Sequence, residues 1–224
     1  MDKLCYIFLY FVFYSIIGYV CEVFYVYLGD KKWVNRGFLH GPYIPIYGNG
    51  AMIVSLALMH VKKDSFIIFL VGLVLCSLLE YITSYVMEKI FHNRWWDYSE
   101  RKYNLNGRVC LQNSVLFGLG SVAIIYVFNP LFNKLYNALG FKTALYVAIV
   151  LFIIMLVDFS ISFFEAIKVS NIASHLDKFM EEFEKKKEST KRIKIRLMEA
   201  YPYLVKRNFK FLDKIKNYKK KSKN

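Results

Sequence analysis

The stretch Ser65–Met87 reads SFIIFLVGLVLCSLLEYITSYVM and carries one charged residue, Glu80, among mainly apolar side chains. An α-helix needs roughly 20 mainly apolar residues to cross a bilayer, so this stretch predicts a membrane-spanning helix. Four further stretches have the same character: Leu4–Leu28, Pro45–Val61, Cys110–Phe128 and Thr143–Ile167. None shows the alternating pattern of a transmembrane β-strand. We therefore predict an all-α integral membrane protein with five transmembrane helices.

The distribution of Lys and Arg predicts how these helices are oriented. With five spans, one side of the membrane holds most of the basic residues: Lys31, Lys32, Arg36, Lys89, Arg94, Arg101, Lys102, Arg108 and the Lys-rich C-terminal tail. The other side holds Lys3, Lys62, Lys63, Lys134 and Lys142. Because cytoplasmic loops carry the excess of Lys and Arg, we expect a multi-pass cell-membrane protein with the N-terminus outside and the C-terminus in the cytoplasm.

The chain divides into a predicted transmembrane domain, residues 1–168, and a basic amphipathic helical tail, residues 169–224. The net charge of +14 is concentrated toward this tail. Beside a membrane span it favours anionic lipid, at about 1 kcal/mol per basic residue, over nucleic acid. The tail is either a solvated anchor or a docking segment for a partner. The four cysteines show neither a C-x-x-C pair nor a Cys/His metal spacing, so we expect no disulfide framework, metal or cofactor.

Three acidic residues lie inside the predicted spans, each in the cytoplasmic half of the membrane: Glu22, Glu80 and Asp158. An ionised carboxylate at the bilayer centre costs about 2.5–3.5 kcal/mol, so such residues usually face the protein interior and have partners. We expect one polar site there. Either Arg36 and Arg108 neutralise Glu22 and Glu80, or Arg108 holds an anion at the start of the fourth span. The candidate site residues are Glu22, Arg36, His40, Glu80, Asp97, Asn104, Arg108 and Asp158.

Two loops on the predicted cytoplasmic side supply the other candidates. The first, Asn35–Gly50, holds two of the four prolines and four of the eleven glycines. Irregular backbone at membrane depth must be packed in protein or line a cavity. We therefore predict a bent or re-entrant loop, which either faces a ligand or is a tight packing elbow, built on Gly37, Gly41, Pro42, Pro45, Tyr47 and Gly48. The second loop, Trp95–Leu111, combines aromatic residues typical of the membrane interface with Asn104 and Arg108.

These loops resemble a bacterial family of ABC-transporter permeases called type IV, catalogued as a domain of unknown function. The resemblance extends from Leu4 to the middle of the fifth span and rests on these residues: Asn35–Pro42, Pro45–Gly48, Glu80, Glu88, Trp95–Ser99 and Asn104–Leu111. Ile44 and Phe117 stand where Cys and Trp are expected in that family. The resemblance implies membrane transport without naming a substrate. The sequence contains no G-x-x-x-x-G-K-S/T phosphate loop, so we expect any ATPase to be a separate subunit.

Three functions are compatible with these features. The first is a transport component with a polar site in the cytoplasmic half of the bundle, where the three acids form a cation or proton site, or a gate paired with Arg36 and Arg108. The second is a lipid-binding protein or membrane enzyme at the inner leaflet, although neither an H-E-x-x-H motif nor a nucleophile elbow is present. The third is a regulator or scaffold that acts through the tail. Because five spans are few for a complete pathway, we expect a homo-oligomer or a partner subunit.

Overall fold

The computed structural model describes residues 2–31, 33–58, 64–91 and 94–174, with the backbone alone for residues 2, 30 and 169–174. Its helices are α1 (Asp2–Asp30), α2 (Pro45–Ala57), α3 (Ser65–Phe91), α4 (Leu111–Ala123), α5 (Asn129–Leu139) and α6 (Phe141–Ser174). Two short antiparallel strands, β1 (Asn104–Leu105) and β2 (Val109–Cys110), precede α4. The predicted tail beyond Ser174 lies outside the described residues.

Four helical segments are long and apolar enough to cross a membrane: Lys3–Gly29, Ser65–Phe91, Leu111–Leu139 and Phe141–Lys168. Large apolar side chains cover their outward faces, and Tyr146 of α6 has 72% of its surface exposed. Such faces are costly in water and stable against lipid hydrocarbon. The protein is therefore a mostly helical, multi-pass membrane protein.

The second predicted span is shorter than the other four. α2 has 13 residues, a length of about 20 Å against a hydrocarbon core of about 30 Å. The prediction extended this span to Val61, and residues 59–61 lie outside the described part of the chain. The described part of α2 is thus too short to cross a bilayer without help from the loop that precedes it.

α1 and α2 pack closely because glycine removes side chains from their interface. Gly18 of α1 lies against the ring of Tyr47, and Gly48 of α2 lies against the hydroxyl of Ser15. The order of these contacts makes the two helices antiparallel. α2 begins beside the middle of α1, where the Ile44 N–H donates to the Ser15 carbonyl at 2.9 Å.

The fourth span continues beyond its predicted end at Phe128. A π-helical turn, Ile124–Phe128, joins α4 to α5, so the helical segment reaches Leu139. Pro130 supplies the physical reason, because it has no N–H to donate and its ring crowds the carbonyl four residues earlier. A wider π-helical turn accommodates the proline without ending the helix. The predicted boundary at Phe128 was therefore wrong.

α3 and α4 form a second closely packed pair. Gly72 of α3 lies against Ser121, and Gly118 of α4 lies against Phe69. Small residues at such positions let membrane helices approach without a cavity. This pair fixes the position of the loop that joins α3 to α4, which holds several of the predicted site residues.

Candidate functional site

Part of the loop between α1 and α2 is covered by protein: Gly37, Leu39 and Tyr43 are buried, whereas Trp33 and Pro42 are exposed. Leu39 is 1% exposed and lies in one apolar cluster with Met155 of α6. The Asn35 side chain accepts from the Gly37 N–H at 2.8 Å and donates to the His40 carbonyl at 3.1 Å, so the loop satisfies part of its own backbone. The part of the loop around Leu39 therefore meets the condition that irregular backbone at membrane depth be packed in protein.

Asp158 of α6 fastens this loop to the bundle. Its Oδ1 accepts from the His40 N–H at 3.0 Å, and its Oδ2 accepts from the Gly41 N–H at 2.8 Å and from the Tyr43 hydroxyl at 2.6 Å. The His40 ring lies 3.1 Å from Asp158 and 3.2 Å from Glu165. Burial raises the pKa of Tyr43 and the hydrogen bond to Asp158 raises it further, so the phenol stays a donor. We call Asp158, His40, Gly41, Tyr43 and Glu165 the Asp158 cluster.

In Asp158→Asn, an NH₂ group, which cannot accept a hydrogen bond, replaces one carboxylate oxygen. If it replaces Oδ2, the Gly41 N–H and the Tyr43 hydroxyl both lose their acceptor. An unpaired buried donor costs about 1–3 kcal/mol. We expect faster backbone hydrogen exchange over residues 38–43, measured by mass spectrometry on the purified protein. The matched control is Ser160→Ala on the same helix, whose hydroxyl donates to the Leu156 carbonyl of α6 itself. Unchanged exchange in Asp158→Asn would contradict this role.

Glu22 of α1 has a basic and a neutral partner. Its Oε1 lies 3.8 Å from the Arg36 guanidinium, and its Oε2 accepts from the Tyr47 hydroxyl at 2.8 Å. The loop and the start of α2 thus both contact the same carboxylate. One of the two charge pairings expected from the sequence, Arg36 with Glu22, is present.

Glu80 of α3 has a different environment. Its Oε1 accepts from the Tyr98 hydroxyl at 3.1 Å, and the Asn113 amide donates to the same hydroxyl at 2.8 Å. Burial raises the pKa of the Tyr98 phenol far above its usual range, and Glu80 and Glu22 raise it further. Tyr98 is therefore a hydrogen-bond donor at any physiological pH. We call Glu22, Arg36, Tyr47, Glu80, Tyr98 and Asn113 the inner cluster.

Arg108 does not neutralise Glu80, so this part of the expected pairing was wrong. Its Nη2 lies 2.6 Å from Glu88, which is about two helical turns beyond Glu80 on α3. Its Nη1 donates to Ser84 at 3.2 Å. Arg94 contacts the same Glu88 oxygen at 3.0 Å. Arg108 pairs with Glu88 rather than Glu80 because Glu88 lies near the end of α3, where the loop that carries Arg94 and Arg108 begins. These ion pairs attach the loop to the end of α3.

Asp97 and Asn104 bind within their own loop. Asp97 accepts from the Ser99 N–H at 3.0 Å and lies 3.9 Å from Arg94. Asn104 accepts from the Gly107 N–H at 2.9 Å, at a position where Gly107 has a positive φ of 68°. Short polar side chains of this kind stabilise turns by bonding to nearby backbone. The contacts of both residues therefore shape the loop that carries Tyr98 and Arg108.

The structure brings some of the predicted residues together and leaves others apart. Glu22 and Glu80 lie close enough to interact electrostatically. Across the described ranges, Asp158 shares no hydrogen bond or ion pair with either of them. Arg36 and His40 are four residues apart, so the Asp158 cluster lies within about 14 Å of the inner cluster along the backbone. Among the residues with described positions, no group of three or more His, Cys, Asp or Glu is placed to hold a metal ion.

A further polar network was missed from the sequence. Tyr10 and Tyr14 of α1 both donate to the Asn129 side chain at 2.7 Å, and Tyr10 also contacts Ser55 of α2 at 2.5 Å. The sequence did contain a signal for this network: Tyr10 and Tyr14 are four residues apart in an apolar span, which places them on the same face of the helix. The partner Asn129 lies more than 100 residues away, so sequence reasoning had no means to join them.

A family model described as "Putative ABC-transporter type IV" matches residues 9–163, which is more than half of the chain. The chain belongs to this family. No curated protein and no solved structure matched it. In this type IV protein, the matched region contains the whole inner cluster, and within the Asp158 cluster it excludes only Glu165. Both irregular loops therefore belong to the family region, whereas the end of α6 lies beyond it.

Proposed function

We propose that this type IV family member is the membrane component of a transporter that works with a separate ATPase subunit. The observation that carries the proposal is the family match across four membrane-spanning helices. The 224 residues contain no phosphate loop, so the proposal places ATP hydrolysis on a separate subunit.

The proposal includes five crossings of the membrane, with the N-terminus outside. α2 begins beside the middle of α1 and runs antiparallel to it, which supports a crossing made by the preceding loop and α2 together. Five crossings place the basic residues after α1 and those after α3 on the same side. Four crossings would place them on opposite sides, against the usual excess of Lys and Arg in cytoplasmic loops.

The inner cluster is the part of the bundle that we propose contacts the transported substrate. Glu22 and Arg36 give it paired charge, and Tyr47, Tyr98 and Asn113 give it neutral hydrogen-bonding groups. Polar groups inside a membrane bundle are costly, and they are usually found along substrate or ion pathways. The Asp158 cluster supports the site by holding the loop that supplies Arg36.

Purification of the tagged full-length protein from its native cells tests the proposal. We expect an ATP-hydrolysing protein to co-elute in a fixed ratio, identified by mass spectrometry, and the eluate to hydrolyse ATP. The control is the same purification from cells that carry the untagged protein. An eluate without any ATPase, both with and without chemical cross-linking before lysis, would count against the proposal.

A further inference from the structure

Glu80 is enclosed by the bundle. It is 6% exposed, and its Oε2 is shielded from solvent without a hydrogen-bond partner among the described residues. Its Oε1 has one hydrogen bond, from the Tyr98 hydroxyl at 3.1 Å. One carboxyl oxygen is therefore left without the interactions that an ionised group needs.

The other acids of the two clusters each have a basic neighbour. Glu22 lies 3.8 Å from Arg36, and Asp158 and Glu165 lie 3.1 and 3.2 Å from His40. In the described ranges, Glu80 has no Lys, Arg or His within 4.0 Å. Glu80 is thus distinguished by its charge environment as well as its burial.

Among the described residues, the groups that face Glu80 include hydrogen-bond donors but no cation within ion-pair distance. Glu22 of α1, Tyr47 of α2, Tyr98 of the loop and Cys76 on the same face of α3 are its titratable neighbours. Glu22 adds a negative charge, and the other three are neutral. The Asn113 amide of α4 donates to the Tyr98 hydroxyl at 2.8 Å and also lies beside the Glu80 carboxyl, as a neutral group. None of these named neighbours carries the positive charge that would neutralise an ionised Glu80.

Typical free energies indicate whether Glu80 is ionised or protonated. A single neutral hydrogen bond contributes about 0.5–1.5 kcal/mol net. Burying an unpaired carboxylate costs several kcal/mol, and about 2.5–3.5 kcal/mol even on membrane-insertion scales. A protonated carboxyl with one oxygen unbonded costs only about 1–3 kcal/mol. The neutral acid is the form that this environment favours.

We propose that Glu80 is a proton-binding site of the inner cluster, with the proton on Oε2 in the conformation described here. The proton comes from bulk solvent and forms an O–H bond, which changes the side-chain charge from −1 to 0. Release of the proton restores a charge that the surrounding groups do not neutralise, so release requires the cluster to rearrange. This deepens the proposed function, and it rests on that function only for the coupling of the proton to transport.

Infrared spectroscopy of the full-length protein in lipid nanodiscs at neutral pH tests proton binding directly. We expect the wild-type spectrum to contain a carboxylic-acid C=O band that moves to lower frequency in D₂O and is lost in Glu80→Gln. The matched control is Glu100→Gln in the exposed part of the next loop, which should lose carboxylate intensity and keep the acid band. Loss of only carboxylate bands in Glu80→Gln overturns the proposal.

Tyr98→Phe gives a second readout if Glu80→Gln does not accumulate. This variant removes the hydroxyl that donates to Oε1, so the acid band should shift to higher frequency. An acid-band region identical to wild type overturns the proposal. Because the measurement needs neither substrate nor ATPase, its failure is distinct from a failure to recover an ATPase partner.

Discussion

Arg108→Ala is expected to destabilise the protein more than any other single charge removal in the described loops. Arg108 is 8% exposed, lies 2.6 Å from Glu88 and donates to Ser84. Its guanidinium also lies over the rings of Tyr81 and Tyr85, at 5.7 and 5.4 Å. Breaking a buried ion pair from one side costs about 3–5 kcal/mol, and we expect the lower part of this range because Arg94 still pairs with Glu88.

The measurement is the temperature at which the detergent-solubilised protein loses its monodisperse size-exclusion peak. The control is Arg101→Ala, an exposed residue of the same loop, which should remain at the wild-type temperature. Arg108→Lys should fall between the two, since it keeps the charge and loses the planar fork. Wild-type stability of Arg108→Ala would show that the charge is not structural and would restore Arg108 as a ligand candidate.

Gly48→Ala is expected to separate α1 from α2. A Cβ atom at Gly48 would lie 2.5 Å from the Phe11 carbonyl oxygen and 2.5 Å from the Ser15 hydroxyl. The carbonyl belongs to the backbone of α1, so the clash is relieved only by moving one helix. Overpacking of this kind costs about 1–3 kcal/mol and occasionally more. We expect a lower unfolding temperature and a weaker Tyr47–Glu22 contact.

Gly50→Ala is the matched control, two residues further along α2. Its Cβ would lie 3.6 Å from the Cys76 sulfur and 3.7 Å from Leu79, which are ordinary contacts. Alanine also favours a helix over glycine by about 1 kcal/mol. We therefore expect Gly50→Ala to equal or exceed the wild-type unfolding temperature. Equal temperatures for the two variants would mean that the α1–α2 contact is looser than the structure has it.

Together these variants distinguish residues that stabilise the structure around the site from a residue that takes part in its chemistry. Arg108 and Gly48 hold loops and helices in place, and Asp158 fastens the loop that supplies Arg36. Glu80 forms no ion pair within the described residues and receives one hydrogen bond. A loss of function in Glu80→Gln with normal stability would therefore report on chemistry, and the same loss in Arg108→Ala would not.

The sequence by itself determined the class of the protein. Runs such as Ser65–Met87 are decided by composition, because apolar side chains and internally satisfied helical backbone are what a bilayer accepts. The family was likewise readable from the two loops, since runs such as Asn35–Pro42 are local in sequence. The sequence also identified Glu22, Glu80 and Asp158 as costly residues that need an explanation. The basic tail lies outside the described residues and stays a prediction.

Only the tertiary structure decided which residues meet. Composition did not show that α2 is short, that Pro130 continues a helix through a π-helical turn, or that Arg108 pairs with Glu88. Pairing depends on the register and spacing of helices that are far apart in sequence, and close contacts such as Gly48 on Phe11 set that register. Glu80 is the clearest case. The sequence shows that Glu80 is acidic. Its lack of an ion pair among the described residues follows from the fold, which brings the loop residues Arg36, Arg94 and Arg108 to Glu22 and Glu88 instead.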